Sequence, residues 1–180
     1  TATLTLGTVS GLVGDETLNI SGSGEFDSKN AGNRTVTATY SLANGTDDKG
    51  GLASNYSLAA KNDIAAKILK KDLTVNTTAA DKTYDGSKTA TLTLGTVSGL
   101  VGDETLSISS SGEFDSKNAG NRTVTATYTL SDGTNGGLAS NYSLASTTGL
   151  SATISPKALT ISGPVTANDK IYDGNTNAVV

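Results

Sequence analysis

The feature that most constrains this sequence is an internal repeat. Residues Thr1–Leu42 recur as Thr89–Leu130 with three substitutions, at positions 19, 22 and 41. A second motif places Tyr172 88 residues after Tyr84. A unit of this size is too long for one coil of a solenoid and suits a small domain. We therefore predict that the chain contains several copies of one small domain.

The copies differ in completeness. From the middle copy, we predict one complete repeat unit over residues 71–156. Residues 1–70 then form a unit that lacks its N-terminal strand or strands, and residues 157–180 form the N-terminal part of a third unit. Units joined almost without a linker are expected to form an elongated, semi-rigid array. Strands of roughly eight to ten residues would make each unit roughly 30 Å long.

Alternation of apolar and hydroxyl-bearing residues predicts half-buried β-strands along the unit. In the middle copy these strands cover residues 73–75, 89–94, 106–114, 124–130 and 150–154. Turn formers such as Asp85-Gly86 separate the strands and favour antiparallel hairpins. The expected core consists of Leu, Val and Ile together with Phe114, Tyr84, Tyr128 and Tyr142. The predicted fold is all-β, with tandem small antiparallel β-sandwich-like domains, Ig-like or of a related sheet-rich type.

One segment has two interpretations. Residues 62–73 read NDIAAKILKKDL, which, taken alone, predicts a helix with a capping asparagine. The counterpart, residues 148–159, reads TGLSATISPKAL, which alternates like a strand and contains Pro156 where a helix would break. Because two copies of one domain should share a fold, both segments are predicted to be strands.

The residues that the chain lacks exclude several classes of function. It has no His, Cys, Met or Trp, which removes disulfides, thiol nucleophiles and the usual zinc ligands. The 13 basic and 17 acidic residues give no electrostatic footprint for nucleic acid or for anionic membranes. No nucleophile with a base, catalytic carboxylate pair or phosphate-binding loop could be identified, so we expect that the chain is not an enzyme.

Targeting signals are also missing from the sequence. No apolar run approaches the length needed to span a bilayer, and the first residues lack the regions of a signal peptide. We therefore expect no membrane insertion by this segment, and any targeting signal or anchor is expected to lie outside it.

The turn around Tyr84 is a candidate ligand site. Asp81 and Asp85, with their repeats Asp169 and Asp173, could offer carboxylate oxygens to Ca²⁺. The alternative is a turn in which the aspartate bonds to its own backbone and the tyrosine packs down. Since the dense alternation of acidic ligands typical of calcium sites is missing, we prefer the turn and expect no cofactor.

Asn-x-Ser/Thr sequons are frequent, as composition alone would produce in a chain rich in Asn, Ser and Thr. They begin at Asn19, Asn33, Asn44, Asn55, Asn76, Asn121 and Asn141. They matter only if the host glycosylates its exported proteins.

Four phrases follow one another in the middle copy: DKTYDGSKTATL, GLVGDETL, FDSKNAGNRTVT and LASNYSL, closed by an Ala-x-Ile strand and a basic residue. Together they resemble the YDG-type repeat, akin to the MBG repeats, of filamentous-haemagglutinin-like adhesins and other surface proteins of Gram-negative bacteria. The resemblance implies an extracellular domain used in many copies on the bacterial cell surface. It implies no catalytic role and supplies no ligand residues.

Two classes of function fit these observations. In the first, the repeats are structural spacers in the stalk of a cell-surface adhesin and project a distal binding region. In the second, they bind carbohydrate or a host protein directly. Carbohydrate sites usually offer exposed aromatic platforms, and this chain has no Trp and only six Tyr, most of them assigned to cores. A glycan-array signal lost on changing Tyr84 or Tyr142 would favour the second.

The expected partners are neighbouring repeats of the same chain. Residues 71–88 have no counterpart in the first copy, and residues 157–180 repeat much of that piece. We therefore expect the tail of one molecule to complete the first unit of another by strand addition, giving head-to-tail chains. Light scattering that finds a strict monomer at high concentration would contradict this. Nucleic acid is not expected as a partner.

Overall fold

A computed structural model describes residues 1–177 as strands joined by turns. The strands are β1 (Leu18–Phe26), β2 (Gly32–Asn44), β3 (Lys61–Ile68), β4 (Lys71–Ala79), β5 (Lys82–Thr83), β6 (Thr89–Ala90), β7 (Leu92–Ser98), β8 (Leu106–Phe114), β9 (Gly120–Asp132), β10 (Tyr142–Leu144) and β11 (Thr147–Ser155). Short 3₁₀ turns cover Ala53–Asn55 and Ala139–Asn141, and no α-helix occurs within residues 1–177. The all-β prediction is confirmed. Positions 178–180 of the predicted third unit lie outside the described residues.

Within residues 1–177, no helix is long and apolar enough to cross a membrane.

The second copy consists of two sheets on one core. The five-stranded sheet has the order β5-β11-β9-β8-β6, and the three-stranded sheet has the order β10-β4-β7. The core side chains from the larger sheet are Ala90, Phe114, Val124, Ala152 and Ile154. Ala79 of β4 and Leu92 of β7 pack against them from the smaller sheet. The core therefore lies between the two sheets.

The strand predicted over residues 89–94 is divided at Thr91, so the prediction of one strand is wrong. β6 pairs with β8 in the larger sheet, whereas β7 pairs with β4 in the smaller one. At this crossing, a Cβ added to Gly112 would lie 2.9 Å from the Leu92 side chain and from the Ala90 carbonyl oxygen. A glycine at this position of β8 therefore lets the chain pass closely from one sheet to the other.

The second copy is not purely antiparallel, which corrects the predicted arrangement. β10 pairs with β4 in parallel over three residue pairs, and β11 pairs with β5 in parallel over two. Each parallel pair joins the beginning of the unit to its end. Turn residues indicate hairpins between neighbouring strands only, so they carry no information about these pairs.

The first copy has a single sheet of order β1-β2-β3. Its residues Leu4–Ser10 have the same sequence as β7, yet they form no strand. β7 pairs with β4 along most of its length, and residues 1–177 contain no counterpart of β4 for the first copy. The pairing partner, rather than the local sequence, therefore decides whether this segment becomes a strand.

The segment that could have been a helix forms β3 and the start of β4, which confirms the prediction of strands. Only Leu69 and Lys70 separate the two strands. β3 ends with Ile68 paired to Gly32 of β2, and Leu69 is 72% exposed. The two copies are therefore joined almost directly, by a connection whose leucine is mostly exposed.

Candidate functional site

The turn that contains Tyr84 is organised by a lysine. The Lys82 Nζ lies 2.9 Å from the Asp85 Oδ1 and from the Ser87 carbonyl oxygen, and 3.1 Å from the Thr89 carbonyl oxygen. Its side chain is only 17% exposed, and the Nζ lies 5.3 Å from the centre of the Phe114 ring. We call Lys82, Asp85, Ser87 and Thr89 the lysine turn. Its ammonium donors are directed to protein oxygens above an aromatic core residue.

Asp85 is held in its ionised form by this arrangement. The Lys82 ammonium lowers the pKa of Asp85 to about 2, and hydrogen bonds from the Ser87 backbone N–H and hydroxyl contribute in the same direction. The Ser87 N and Oγ lie 2.8 and 2.9 Å from the Asp85 Oδ1. The lysine ammonium thus occupies the position next to the carboxylate that a bound cation would need.

The same turn forms at the start of the third copy. The Lys170 Nζ lies 2.9 Å from the Asp173 Oδ1, 2.8 Å from the Asn175 carbonyl oxygen and 3.0 Å from the Asn177 carbonyl oxygen. The Lys170 ammonium likewise lowers the pKa of Asp173. Tyr172 is 94% exposed, so this turn forms without packing on a sheet.

The four calcium candidates are not gathered into one site. Asp85 and Asp173 bond to their lysines, whereas Asp81 accepts a hydrogen bond from the Thr153 backbone N–H at 2.5 Å. Among residues 1–177, no group of three or more acidic, His or Cys side chains is placed to hold a metal ion, and Asp169 belongs to no such group. The bond from the Ser87 backbone N–H to Asp85 is one that the turn interpretation expects, and the absence of a cofactor stays a prediction.

Tyr84 itself does not belong to the core. It is 36% exposed, so its assignment to the core is wrong. The Lys82 side chain lies over Phe114 at this point, which leaves the tyrosine on the outside of the turn.

Tyr142, in the phrase LASNYSL, forms hydrogen bonds with the phrase GLVGDETL. It is 2% exposed, its hydroxyl donates to the Glu104 Oε2 at 2.5 Å, and it accepts from the Val101 backbone N–H at 3.1 Å. In the first copy, Tyr56 donates to Glu16 over the same distance. The bonds to the glutamates raise the pKa of both tyrosines. Tyr142 is thus a core residue, as predicted, and cannot serve as an exposed aromatic platform.

Asn141 makes the hydrogen bonds that join the two copies. The Ala31 backbone N–H donates to the Asn141 Oδ1 at 2.8 Å, and the Asn141 Nδ2 donates to the Asn30 Oδ1 at 3.1 Å. In the sequence, Asn141 is recognisable only as the start of a sequon, and this role was not predicted. The available signal was its recurrence as Asn55 in the shared phrase GLASNYSLA.

The first copy has an open apolar groove of about 740 Å³. The sheet side chains that line it include Ile20, Phe26, Val36, Ala38 and Ile64. In the third copy, Leu159 and Ile161 are 93% and 83% exposed. Both parts needed for strand exchange between molecules are therefore present, and that exchange stays a prediction.

Opposite charges outside the lysine turns meet only in exposed ion pairs within residues 1–177. These pairs are Lys49–Asp15 at 2.9 Å and Lys88–Glu113 at 3.8 Å. Every buried polar side-chain atom in the same part of the chain has a hydrogen-bond partner. The described residues thus offer no buried, unpaired polar side chain that would point to a reacting ligand.

A family model described as the YDG domain matches residues 1–64 and 69–149. The gap between the two matched ranges, residues 65–68, falls in the second half of β3. Comparison with curated proteins and with solved structures gave no match. The matched ranges cover well over half of the chain and contain the lysine turn and both tyrosine-glutamate pairs. This chain therefore belongs to the YDG domain family.

Proposed function

We propose that these YDG copies are structural spacers in the stalk of a bacterial cell-surface adhesin and hold a distal binding region away from the cell. The observation that carries the proposal is the direct connection between copies. Only Leu69 and Lys70 lie between the last strand of one copy and the first strand of the next. A connection of two residues suits an array whose length depends on the number of its copies. The bacterial surface and the adhesin come from the resemblance of the four repeated phrases.

The exposed area of the chain supports an extended arrangement. A compact monomer of 18.0 kDa exposes about 8,000 Å² to solvent. This chain exposes 12,761 Å². The residues after Ser155 and the open groove of the first copy contribute to the excess.

The surface of the larger sheet supports a spacer more than an adhesive face. On β9, the exposed positions Thr123, Thr125 and Thr127 alternate with buried apolar ones. The Ser111 and Thr127 hydroxyl oxygens lie 2.7 Å apart across the two strands. Such a hydroxyl-rich face is typical of a sheet that meets water on one side.

Small-angle X-ray scattering on chains with two, three and four copies of residues 71–156 tests the proposal. We expect the maximum dimension to increase linearly, by about 30 Å for each added copy. Chains of the same copies that collapse into a compact particle, whose dimension hardly increases with copy number, would contradict a spacer.

A further inference from the structure

We propose that each copy carries a polar socket at one end and a matching asparagine at the other, and that these two surfaces lock consecutive copies together. The socket is the loop Asn30–Gly32 in the first copy and Asn118–Gly120 in the second. The asparagine is Asn55 in the first copy and Asn141 in the second. The inference deepens the proposed spacer function, on which it rests, by naming the joint and its partner, which is another YDG copy.

The chain contains one occupied socket. A primary amide offers an acceptor and two donors at one end. Asn141 uses both kinds of group, since its Oδ1 accepts from the Ala31 backbone N–H at 2.8 Å and its Nδ2 donates to the Asn30 Oδ1 at 3.1 Å. A carboxylate of the same shape could accept the first bond but could not donate the second. The socket is therefore selective for an amide.

The sheet topology brings Asn141 to this place. β10 starts at the next residue and lies beside the first residue of β4, while Ile68 at the end of β3 pairs with Gly32 at the edge of the socket. The copies are thus connected twice at the junction, once by the chain and once by the asparagine. Leu69 is 72% exposed, so packing of its side chain does not fix the junction. The hydrogen bonds of Asn141 therefore add a restraint on rotation there.

The socket is already shaped before it receives a partner. In the second copy, the Arg122 Nε and Nη2 donate to the Asn118 and Ala119 carbonyl oxygens at 2.8 and 2.9 Å. In the occupied socket, Arg34 makes the same two bonds at 2.7 and 3.0 Å. Because the arginine holds the loop in the same way in both copies, binding of an asparagine needs little further ordering of the loop.

Burial separates the occupied surfaces from the exposed ones. Asn30–Gly32 and Asn141 are half-buried, whereas their counterparts Asn118–Gly120 and Asn55 are exposed. The sequences around the two sockets are identical. The difference in burial therefore comes from the neighbouring copy. The second copy's socket fits the asparagine of a following copy, and Asn55 fits the socket of a preceding one.

Amide hydrogen exchange measured by NMR on this chain tests the joint without any substitution. The Ala31 and Ala119 amides have the same flanking residues, so their intrinsic exchange rates are equal. We expect the Ala31 amide to exchange about fivefold more slowly, as one added hydrogen bond predicts. Equal rates for the two amides would overturn the proposal.

Two variants assign the protection to Asn141. In Asn141→Ala, the Ala31 amide should exchange as fast as that of Ala119. In the matched control Asn55→Ala, which removes the same residue from the same turn of the first copy, both rates should stay unchanged. An Ala31 amide that keeps its protection in Asn141→Ala, in a protein whose strand resonances are unchanged, would contradict the assignment.

A longer chain tests the exposed socket. With a further copy of residues 71–156 placed after Pro156, the Ala119 amide should become as protected as that of Ala31, and a fast Ala119 amide there would contradict the rule. The outcome is distinguishable from that of the scattering experiment. If the maximum dimension increases linearly but the two amides exchange at equal rates, the proposed joint is wrong and the spacer function stands. If the Ala31 amide is protected but the particle is compact, the joint stands and the spacer function is wrong.

Discussion

Lys82 holds its turn together through hydrogen bonds to three residues of the second copy. Its ammonium is mostly removed from water, and it is compensated by the Asp85 carboxylate and by two backbone carbonyl oxygens. A charge placed in this way stabilises a fold only when its donors are satisfied. The lysine thus connects the start of the unit to the Phe114 side of the core.

Replacing Lys82 tests this role. We expect Lys82→Ala to lower the free energy of unfolding of the second copy by about 2 kcal/mol, because charge-assisted hydrogen bonds are lost from a largely buried position. Urea unfolding measures this change in the free energy of unfolding. Lys170→Ala is the matched control, since the same turn in the third copy packs on no sheet, and it should leave the unfolding midpoint unchanged. Equal effects of the two substitutions would contradict a role in the core.

The lysine turn also predicts a dependence on pH. The folded pKa of Asp85, about 2, lies below its usual value of 3.8, so folding favours the ionised carboxylate. The stability that Asp85 contributes is therefore fully present above about pH 4 and is lost as the pH falls through about 2. Urea midpoints measured between pH 5 and pH 2 should fall less in Asp85→Asn than in the unsubstituted chain. Parallel curves would contradict the assignment.

At the scale of elements, β4 organises the unit. The segment Leu4–Ser10 and β7 have one sequence and two structures, and the presence of β4 is the difference between them. Burial of the core residues also differs between the two copies. Phe114 and Ile154 are 1% and 0% exposed, whereas their counterparts Phe26 and Ile68 are only half-buried. β4 and β5, together with Lys82 over the Phe114 ring, therefore close the core, and β4 also pairs with β7.

A peptide with the sequence of residues 71–88 should supply the missing element to the first copy. We expect its addition to move the NMR chemical shifts of Leu4–Ser10 to strand values, because it restores a pairing partner and fills the groove. The same peptide with Leu73→Asp is the matched control and should bind much more weakly, since Leu73 is 4% exposed in the second copy. Unchanged shifts at saturating peptide would contradict the role given to β4.

The elements could be predicted from the sequence in part. Period-two alternation located β8, β9 and β11 and parts of β4 and β7, and comparison of the copies decided against a helix over residues 62–73. The division at Thr91 and the two parallel pairs were missed. They depend on which distant strand is adjacent, and local alternation is the same whichever sheet a strand joins.

The candidate site was less accessible than the fold. The backbone bond to Asp85 could be expected from residue types alone, whereas Tyr84 was expected to pack down and does not. The bond between Lys82 and Asp85 was not foreseen, because a lysine in a turn is usually solvated. The role of Asn141 depends on contacts with a neighbouring copy, and the sequence of a single unit does not reveal them. The repeated tyrosine-glutamate pairs could have been found, since Glu104 and Tyr142 recur together as Glu16 and Tyr56.

At the scale of the whole molecule, the chain is a succession of copies whose sheets stay separate. The sheet of the first copy ends at β3, and the sheets of the second begin with β4. No sheet includes strands of both copies within the described residues. Each copy therefore brings its own hydrogen-bond ladder, which is what independent unfolding of the units requires.

Pulling single molecules by force microscopy tests whether the copies unfold independently. A chain of several copies of residues 71–156 should unfold in evenly spaced events. Each event should release roughly 250–280 Å, the extended length of one copy at about 3.4 Å per residue less its folded length. A single irregular rupture, or steps that span two copies at once, would contradict separately folded units joined in line.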